Sequence, residues 1–461
     1  MDKVEISSPL TSRRKLIKSA AVGFAGINIL PSSMLWGDQK PSEQFRFLQV
    51  GIGGKGRDDL NGTIRAGGKL VAMCDVDKVR AEPSLKKYPG IPLYADYRKA
   101  MDKHQKEIDA VVVTTPDHMH GAIALEAIKR GKHVYVQKPL ARTYQECEVL
   151  WQAAKKYKVI TQMGNQGHSG NGLKLWQQMT DEKVFGDIEH IHTWSNRPFW
   201  PQGMKSTPKK DAIPSTLNWN EWLGVAKMRD FSKAYLPFNW RGWWDFGCGA
   251  MGDMACHNMD PAFWIFKLGM PSSVKVRKAS SVTDIAYPNS SIIDYTFDHS
   301  PVTGKPIKLS WYDGQERPNM PEGSHPKRTA GDNGCMVVGS KLSAKGGVCA
   351  GRPLPISITG EKYGDTVKDL ERHWRAQLKN HTNESHYAKW VNAVKAGKPR
   401  GPGSDFDYAV PFTQAILLGC IALRYPGQEL KWDDKKKEFS NFKEANQWLS
   451  MTPRKGYSLS L

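Results

Sequence analysis

Cysteine is scarce and scattered in this 461-residue chain. The seven (Cys74, Cys147, Cys248, Cys256, Cys335, Cys349 and Cys420) are odd in number, widely spaced and form no CxxC. That argues against a disulfide framework or a zinc site and for small core residues. Long apolar runs are missing too. The apolar stretch Ala20–Leu30 is broken by Gly23, Gly26 and Asn28, too short and too weak to span a membrane. There is no long low-complexity tract and no internal repeat. Acidic residues are in deficit, 46 against 66 Lys and Arg, for a formal charge of +20. The basic residues are dispersed, as at Lys209-Lys210 and Lys435–Lys437, and no nucleic-acid motif accompanies them. A solvated basic surface is the simplest reading; anionic membranes or acidic glycans are the alternatives.

Apolar and aromatic residues are plentiful: 39% hydrophobic, with 16 Trp, 15 Tyr and 15 Phe. Such a chain buries a large core and is expected to form two domains. At the N-terminus, Ser12-Arg13-Arg14-Lys15-Leu16-Ile17-Lys18 precedes an uncharged stretch. It resembles a twin-arginine export signal, with Leu16 where the pattern favours Phe. Residues 1–37 are therefore read as an export signal and 38–44 as a linker. The expected location is periplasmic or otherwise exported, with the twin-arginine machinery as a partner. A basic tail is the alternative.

From Phe45 the pattern is strand, glycine loop, helix, strand, repeated. Strands are expected at Arg46–Val50, Lys69–Cys74, Ile108–Val113, His133–Val136 and Val159–Met163. Thr143 and Glu146 form a capping box opening a helix to about Tyr157. This alternation means an α/β, doubly wound parallel sheet over residues 45–164. Residues 165–461 read as an α+β domain with an open, mainly antiparallel sheet. Its long strands are Ile188–Ser195, Ser291–Phe297 and Ile307–Tyr312. Residues 197–240, 313–333 and 345–375 read as loops. Helices near His386–Ala396 and Val410–Arg424 close this second domain.

Gly51, Gly53 and Gly56, with Gly54 between them, open a helix after a strand. Such glycines let a pyrophosphate approach the backbone at a helix N-terminus. Asp75 ends the next strand, 19 residues past Gly56. A carboxylate there accepts ribose hydroxyls and repels a 2′-phosphate, favouring NAD over NADP. Lys55 and Arg57 leave NADP open. Thr115-Pro116-Asp117-His118-Met119-His120 follows the next strand, and His120 could line the nicotinamide side of the cleft. Alternatively, Asp117 caps a helix and both histidines are solvated. Gln137-Lys138-Pro139 ends the strand after that, at the ligand edge of the sheet. Asn165, within Gly164–Ser169, leaves the last strand at the same edge; a plain hinge is equally consistent. Asp253 and His257 stand at i and i+4 on one helix face, where the carboxylate could orient the ring. Trp194, Phe199, Trp200, Trp240, Trp243 and Trp244 are stacking faces for a sugar, or core.

Together Gly51–Gly56, Asp75, TPDHMH, GKHVYVQKPL and the Asp253–His257 pair resemble the glucose–fructose oxidoreductase/inositol dehydrogenase (Gfo/Idh/MocA) family. The export signal, MGNQGH and the WWDFG segment look like its secreted bacterial branch. The resemblance implies a Rossmann domain, an α+β domain whose sheet often mediates homo-oligomers, and NAD(P)-linked oxidation or reduction of a sugar, glycoside or cyclitol hydroxyl. Oxidation at a ring secondary hydroxyl, C3, is the preferred guess. Carried over residue by residue, Lys138 would bond the reacting oxygen, His257 would take its proton, and Asp253 would orient or charge-balance His257. Cofactor contacts fall on Gly51, Gly53, Gly54, Gly56, Arg57, Asp75, Thr115, Pro116, His120, Gln137, Lys138 and Asn165. No metal is implied. The family's usual motif is Glu-Lys-Pro, and this chain has Gln137; losing that carboxylate should leave Lys138 easier to deprotonate. The rival functions are an NAD-dependent glycoside hydrolase working by transient oxidation and elimination, and a non-catalytic sugar or dinucleotide sensor.

Overall fold

The computed structural model describes residues 44–461. The export signal at 1–37 and nearly all of the linker lie outside the described residues.

The first half alternates as expected: β1 (Arg46–Val50), α1 (Lys55–Arg65), β2 (Lys69–Cys74), α2 (Lys78–Lys87), β3 (Leu93–Tyr94), α3 (Tyr97–His104), β4 (Ala110–Val113), α4 (Asp117–Lys129), β5 (His133–Gln137), α5 (Tyr144–Lys156) and β6 (Thr161–Gly164). Its six strands lie in the order β3-β2-β1-β4-β5-β6, all parallel. The order reverses between β1 and β4, and the crevice above that switch point is where such sheets bind ligands. Valines at 111–113 are buried on both sheet faces, as a central parallel strand requires. Thr143 and Glu146 form the expected capping box at α5.

The second half contains α6 (Asn171–Asp181), β7 (Ile188–Trp194), α7 (Trp219–Leu223), α8 (Gly249–Asn258), α9 (Asp260–Ile265), β8 (Ser273–Ser280), β9 (Ser290–Phe297), β10 (Ile307–Asp313), β11 (Gly334–Gly339), β12 (Leu342–Gly346), β13 (Leu354–Ile358), α10 (Asp365–Gln377), α11 (His386–Lys395), α12 (Phe406–Ala422), β14 (Glu429–Asp433) and β15 (Glu438–Phe439). A nine-stranded sheet runs β13-β12-β11-β7-β10-β9-β8-β14-β15. Only the β7–β10 pairing is parallel. Helix α12 is apolar almost all round and buried among α5, α8 and β8.

Three sequence expectations need correction. Residues 197–240 are not all loop, because the short helix α7 falls there. Residues 345–375 are not all loop, because β13 and most of α10 fall there. Helix α10 buries only Val367 and Trp374 fully, so its apolar signal is thin. Helix α11 does not close the second domain. Its Trp390, Val391 and Ala393 pack with Phe45, Phe47, Leu60, Val112 and Tyr135 on one face of the first sheet. The nucleotide-binding half is thus built from 45–164 plus a helix from far along the chain.

Candidate active site

A cavity of about 560 Å³ opens at the C-terminal edge of the parallel sheet. One wall is the glycine loop. Gly51 has φ +81°, and a Cβ there would sit 2.3 Å from the Thr114 carbonyl oxygen. A Cβ on Gly56 would sit 2.1 Å from the Gly51 oxygen. Only glycine lets the loop lie this close to β4. The loop leads into α1, whose N-cap, Gly54, has no side-chain cap. That leaves amide donors at the helix N-terminus for an anionic ligand. Asp75 lines the cavity as expected, and its two oxygens accept from the Ile52 and Asp77 amides, each at 3.0 Å. Each oxygen retains a lone pair for a hydroxyl. These features fit a dinucleotide.

The cofactor residues proposed from sequence divide here. Gly51, Gly53, Gly54, Asp75, Thr115, Pro116, His120, Gln137 and Lys138 line the cavity. Arg57, exposed on α1, and Gly56, buried against Gly51, do not. Asn165 is fully buried, its Oδ1 accepting from Ser404 Oγ at 2.6 Å; its neighbour Gln166 lines the cavity instead. His118 and His120 are buried, not solvated. The two nitrogens of His120 face the carbonyls of Thr115 (2.9 Å) and Pro139 (2.7 Å). The ring therefore ties the ends of β4 and β5 together and has no nitrogen left for a ligand. Of the six aromatics singled out, only Trp240 lines the cavity; four of the others are core and Phe199 is exposed.

Lys138, Asp253 and His257 come together on the opposite wall. Lys138 Nζ donates to the Asp253 carbonyl at 2.7 Å and to Asp253 Oδ1 at 2.8 Å. An ammonium has three donors, so one is left for a ligand. Arg241 Nε also reaches Asp253 Oδ1, at 3.3 Å, while its guanidinium lies over the rings of Phe238 and Trp240. Burial works against ionising Asp253, but Lys138 and Arg241 outweigh it and hold the carboxyl well below its usual range. The expectation that Asp253 orients His257 is corrected: no hydrogen bond joins them among the described residues, and Asp253 holds Lys138. The i, i+4 spacing put both on one face, but the lysine offered the stronger charge-assisted bond.

Among the described residues His257 Nδ1 is buried without a partner, which leaves Nε2 as the open nitrogen. Burial, reinforced by the charge of Lys138, pushes this imidazole down to about 3. It is neutral at physiological pH and can accept a proton. Asp117, at the start of α4, is pushed up to about 7 by burial, with Arg241 and Lys138 opposing, and accepts from the Cys248 amide.

Sequence reasoning missed several lining groups. Arg80 lies over Gly53 and Gly54, and Arg197, Arg241 and Cys349 come from the second half. None carries a local motif. Asp59 was missed as well. It is fully buried, and its oxygens accept from Tyr387 Oη (2.7 Å), Thr114 Oγ1 (2.8 Å) and Gln137 Nε2 (2.8 Å), with Lys55 Nζ at 2.8 Å. Gln137 thus faces a carboxylate, and Lys138 has its own in Asp253.

Comparison with known proteins agrees with this geometry. A family model described as "Oxidoreductase family, NAD-binding Rossmann fold" matches residues 45–165, and one described as "Oxidoreductase family, C-terminal alpha/beta domain" matches 187–301. The chain belongs to the Gfo/Idh/MocA oxidoreductase family. Its cofactor is accordingly NAD. Among relatives, a glycosyl hydrolase family 109 protein of Solibacter usitatus is 31% identical over 196 residues, 39% of this chain and 44% of that one. Inositol 2-dehydrogenase of Salmonella typhimurium is 29% identical over 147 residues, 31% and 43% of the two chains. The chain spans less than half the length of these relatives. Among solved structures, the WlbA dehydrogenase from Chromobacterium violaceum, in complex with NADH and UDP-GlcNAcA, superposes with a TM-score of 0.59 at 17% identity. The match covers 85% of this chain and 97% of that one, and at this identity it shows the shared fold.

Proposed function

We propose that this Gfo/Idh/MocA protein is an exported NAD-dependent oxidoreductase of the family's secreted, twin-arginine branch. It transfers hydride between a secondary hydroxyl carbon of a sugar, glycoside or cyclitol, C3 in our preferred reading, and nicotinamide. The observation that carries this is the Lys138–Asp253 pair with the open Nε2 of His257, in one cavity with the glycine loop and Asp75. When bound, the nicotinamide ring supplies the two-electron acceptor. His257 Nε2 takes the hydroxyl proton. The free N–H of Lys138 bonds the same oxygen and stabilises the charge that develops on it. Asp253 fixes the position of the lysine. Relatives that act on inositol and levoglucosan support the substrate class. The test is single-turnover hydride transfer to bound NAD with pyranosides and polyols. Wild-type rates in both Lys138→Ala and His257→Ala would end the proposal.

A second reading is favoured by the likeness to a glycosyl hydrolase family 109 protein. There, transient oxidation by bound NAD precedes elimination and water addition, and the cofactor is regenerated. Product analysis separates the two: net cleavage without net NADH means hydrolase. Export rests on Arg13-Arg14 and the uncharged stretch that follows. Replacing both arginines with lysine should hold the protein in the cytoplasm, and unchanged secretion would overturn that part. Light scattering would test the homo-oligomer expected of the family.

A further inference from the structure

A second cavity, of about 260 Å³, lies apart from the first, between the start of α5, the end of α12 and the C-terminal segment. Two guanidinium groups face it. Arg424 is clamped between two indoles, with its Cζ 3.8 Å from the Trp244 ring centroid and 3.6 Å from that of Trp448. Stacking holds the guanidinium plane but uses none of its five N–H donors. Among the described residues no hydrogen bond or ion pair reaches them. Arg142 stands nearby, its Nη1 donating to the Trp244 carbonyl at 2.8 Å and its Nη2 touching Met451 Sδ at 2.6 Å. Its Nε is buried without a partner.

No carboxylate among the described residues makes a hydrogen bond or ion pair with either guanidinium, so Glu146 and Asp245 act on them only through space. Asp245, the one acid lining the cavity among the described residues, is bound to Arg229. Glu146 accepts from the backbone amides of Arg142 and Thr143. Burial, and the charge of Arg142 with it, makes Arg424 less basic than usual, with Asp245 opposing. Two adjacent guanidinium groups, half-buried with no carboxylate in direct contact among the described residues, are costly unless an anion completes the site. A stacked guanidinium is also a pre-organised fork for the two oxygens of such an anion.

We propose that this cavity is a second ligand site, which takes a small anion bearing a carboxylate or phosphate group between Arg142 and Arg424. Calorimetric titration of the full chain, loaded with NAD so that its pyrophosphate site is filled, tests it with two probes, inorganic phosphate and succinate. Saturable binding with a Kd at or below about 1 mM is expected for one or both. The tighter probe identifies the head group. Arg424→Met should weaken binding at least tenfold. Binding of neither probe, or binding unchanged in the variant, would overturn the site. Should that variant fail to fold, phenylglyoxal labelling of the wild-type protein decides the matter. The bound anion should slow modification of Arg424 about tenfold, and equal labelling with and without it would overturn the site.

Discussion

Gln137 Nε2 donates to Asp59 Oδ2 at 2.8 Å, in a buried contact between the end of β5 and the first helix. Thr114 Oγ1 shares that oxygen, and Tyr387 Oη and Lys55 Nζ take the other. A carboxylate with two donors at each oxygen accepts no further partner of its own sign. The departure from Glu-Lys-Pro is therefore matched to Asp59.

The first prediction follows. Gln137→Glu sets two buried carboxylates in contact and should cost about 2 kcal/mol or more. Asp59→Asn in the same chain should restore most of that stability. Chemical denaturation of both variants checks it, and a fully stable single variant would refute the pairing.

The Lys138–Asp253 contact gives the second. Asp253→Asn keeps the shape but removes the charge that faces Lys138 and Arg241. Hydride transfer in single turnover should fall by about 10²–10³. His257→Ala should fall within the same range, and Arg57→Ala, outside the cavity lining, should be near wild type.

The pH profile gives the third. A ring nitrogen pushed down to about 3 is already neutral at pH 5. The rate of hydroxyl oxidation should therefore lack an acid limb near 6.5 arising from His257. A limb there that vanished in His257→Gln would contradict the assignment.

Asp117 gives the fourth, with the opposite sign. Its folded pKa, about 7, lies above the ordinary 3.8. The folded state holds this proton more tightly than the unfolded chain does. That contribution to stability is complete below about pH 3.8 and is lost as pH rises towards 7. Asp117→Asn removes the dependence, so the variant should gain stability relative to wild type between pH 5 and pH 8.

Cofactor choice gives the fifth. Asp75→Asn keeps an acceptor for a loop amide but removes the charge. The NADP/NAD ratio of kcat/KM should rise about tenfold. Arg80, lying over the glycine loop, is positioned to help the extra phosphate.

Much of this was legible in the sequence. β1, β2 and the start of α5 follow directly from alternation, glycine placement and the Thr143–Glu146 capping box, because local rules decide them. Lys138 and Asp253 were legible as chemistry, but their partnership was not, since it depends on how two halves of the chain face each other across 115 positions. The same reason hides Arg241 and Asp59, ordinary residues in their local context whose importance comes from burial. Asn165 shows the converse: a strand-end position suggested a ligand contact, but its side chain turns inward to Ser404.

Helix α11 has a consequence for biosynthesis. Phe45 and Phe47 emerge from the ribosome roughly 345 residues, and Tyr135 roughly 255 residues, before Trp390, which packs on them. Until then the part of that sheet face not covered by the first two helices stays open to the solvent. A fragment halted near residue 380 should be captured by chaperones or precipitate, and the segment 45–164 made alone should share that fate.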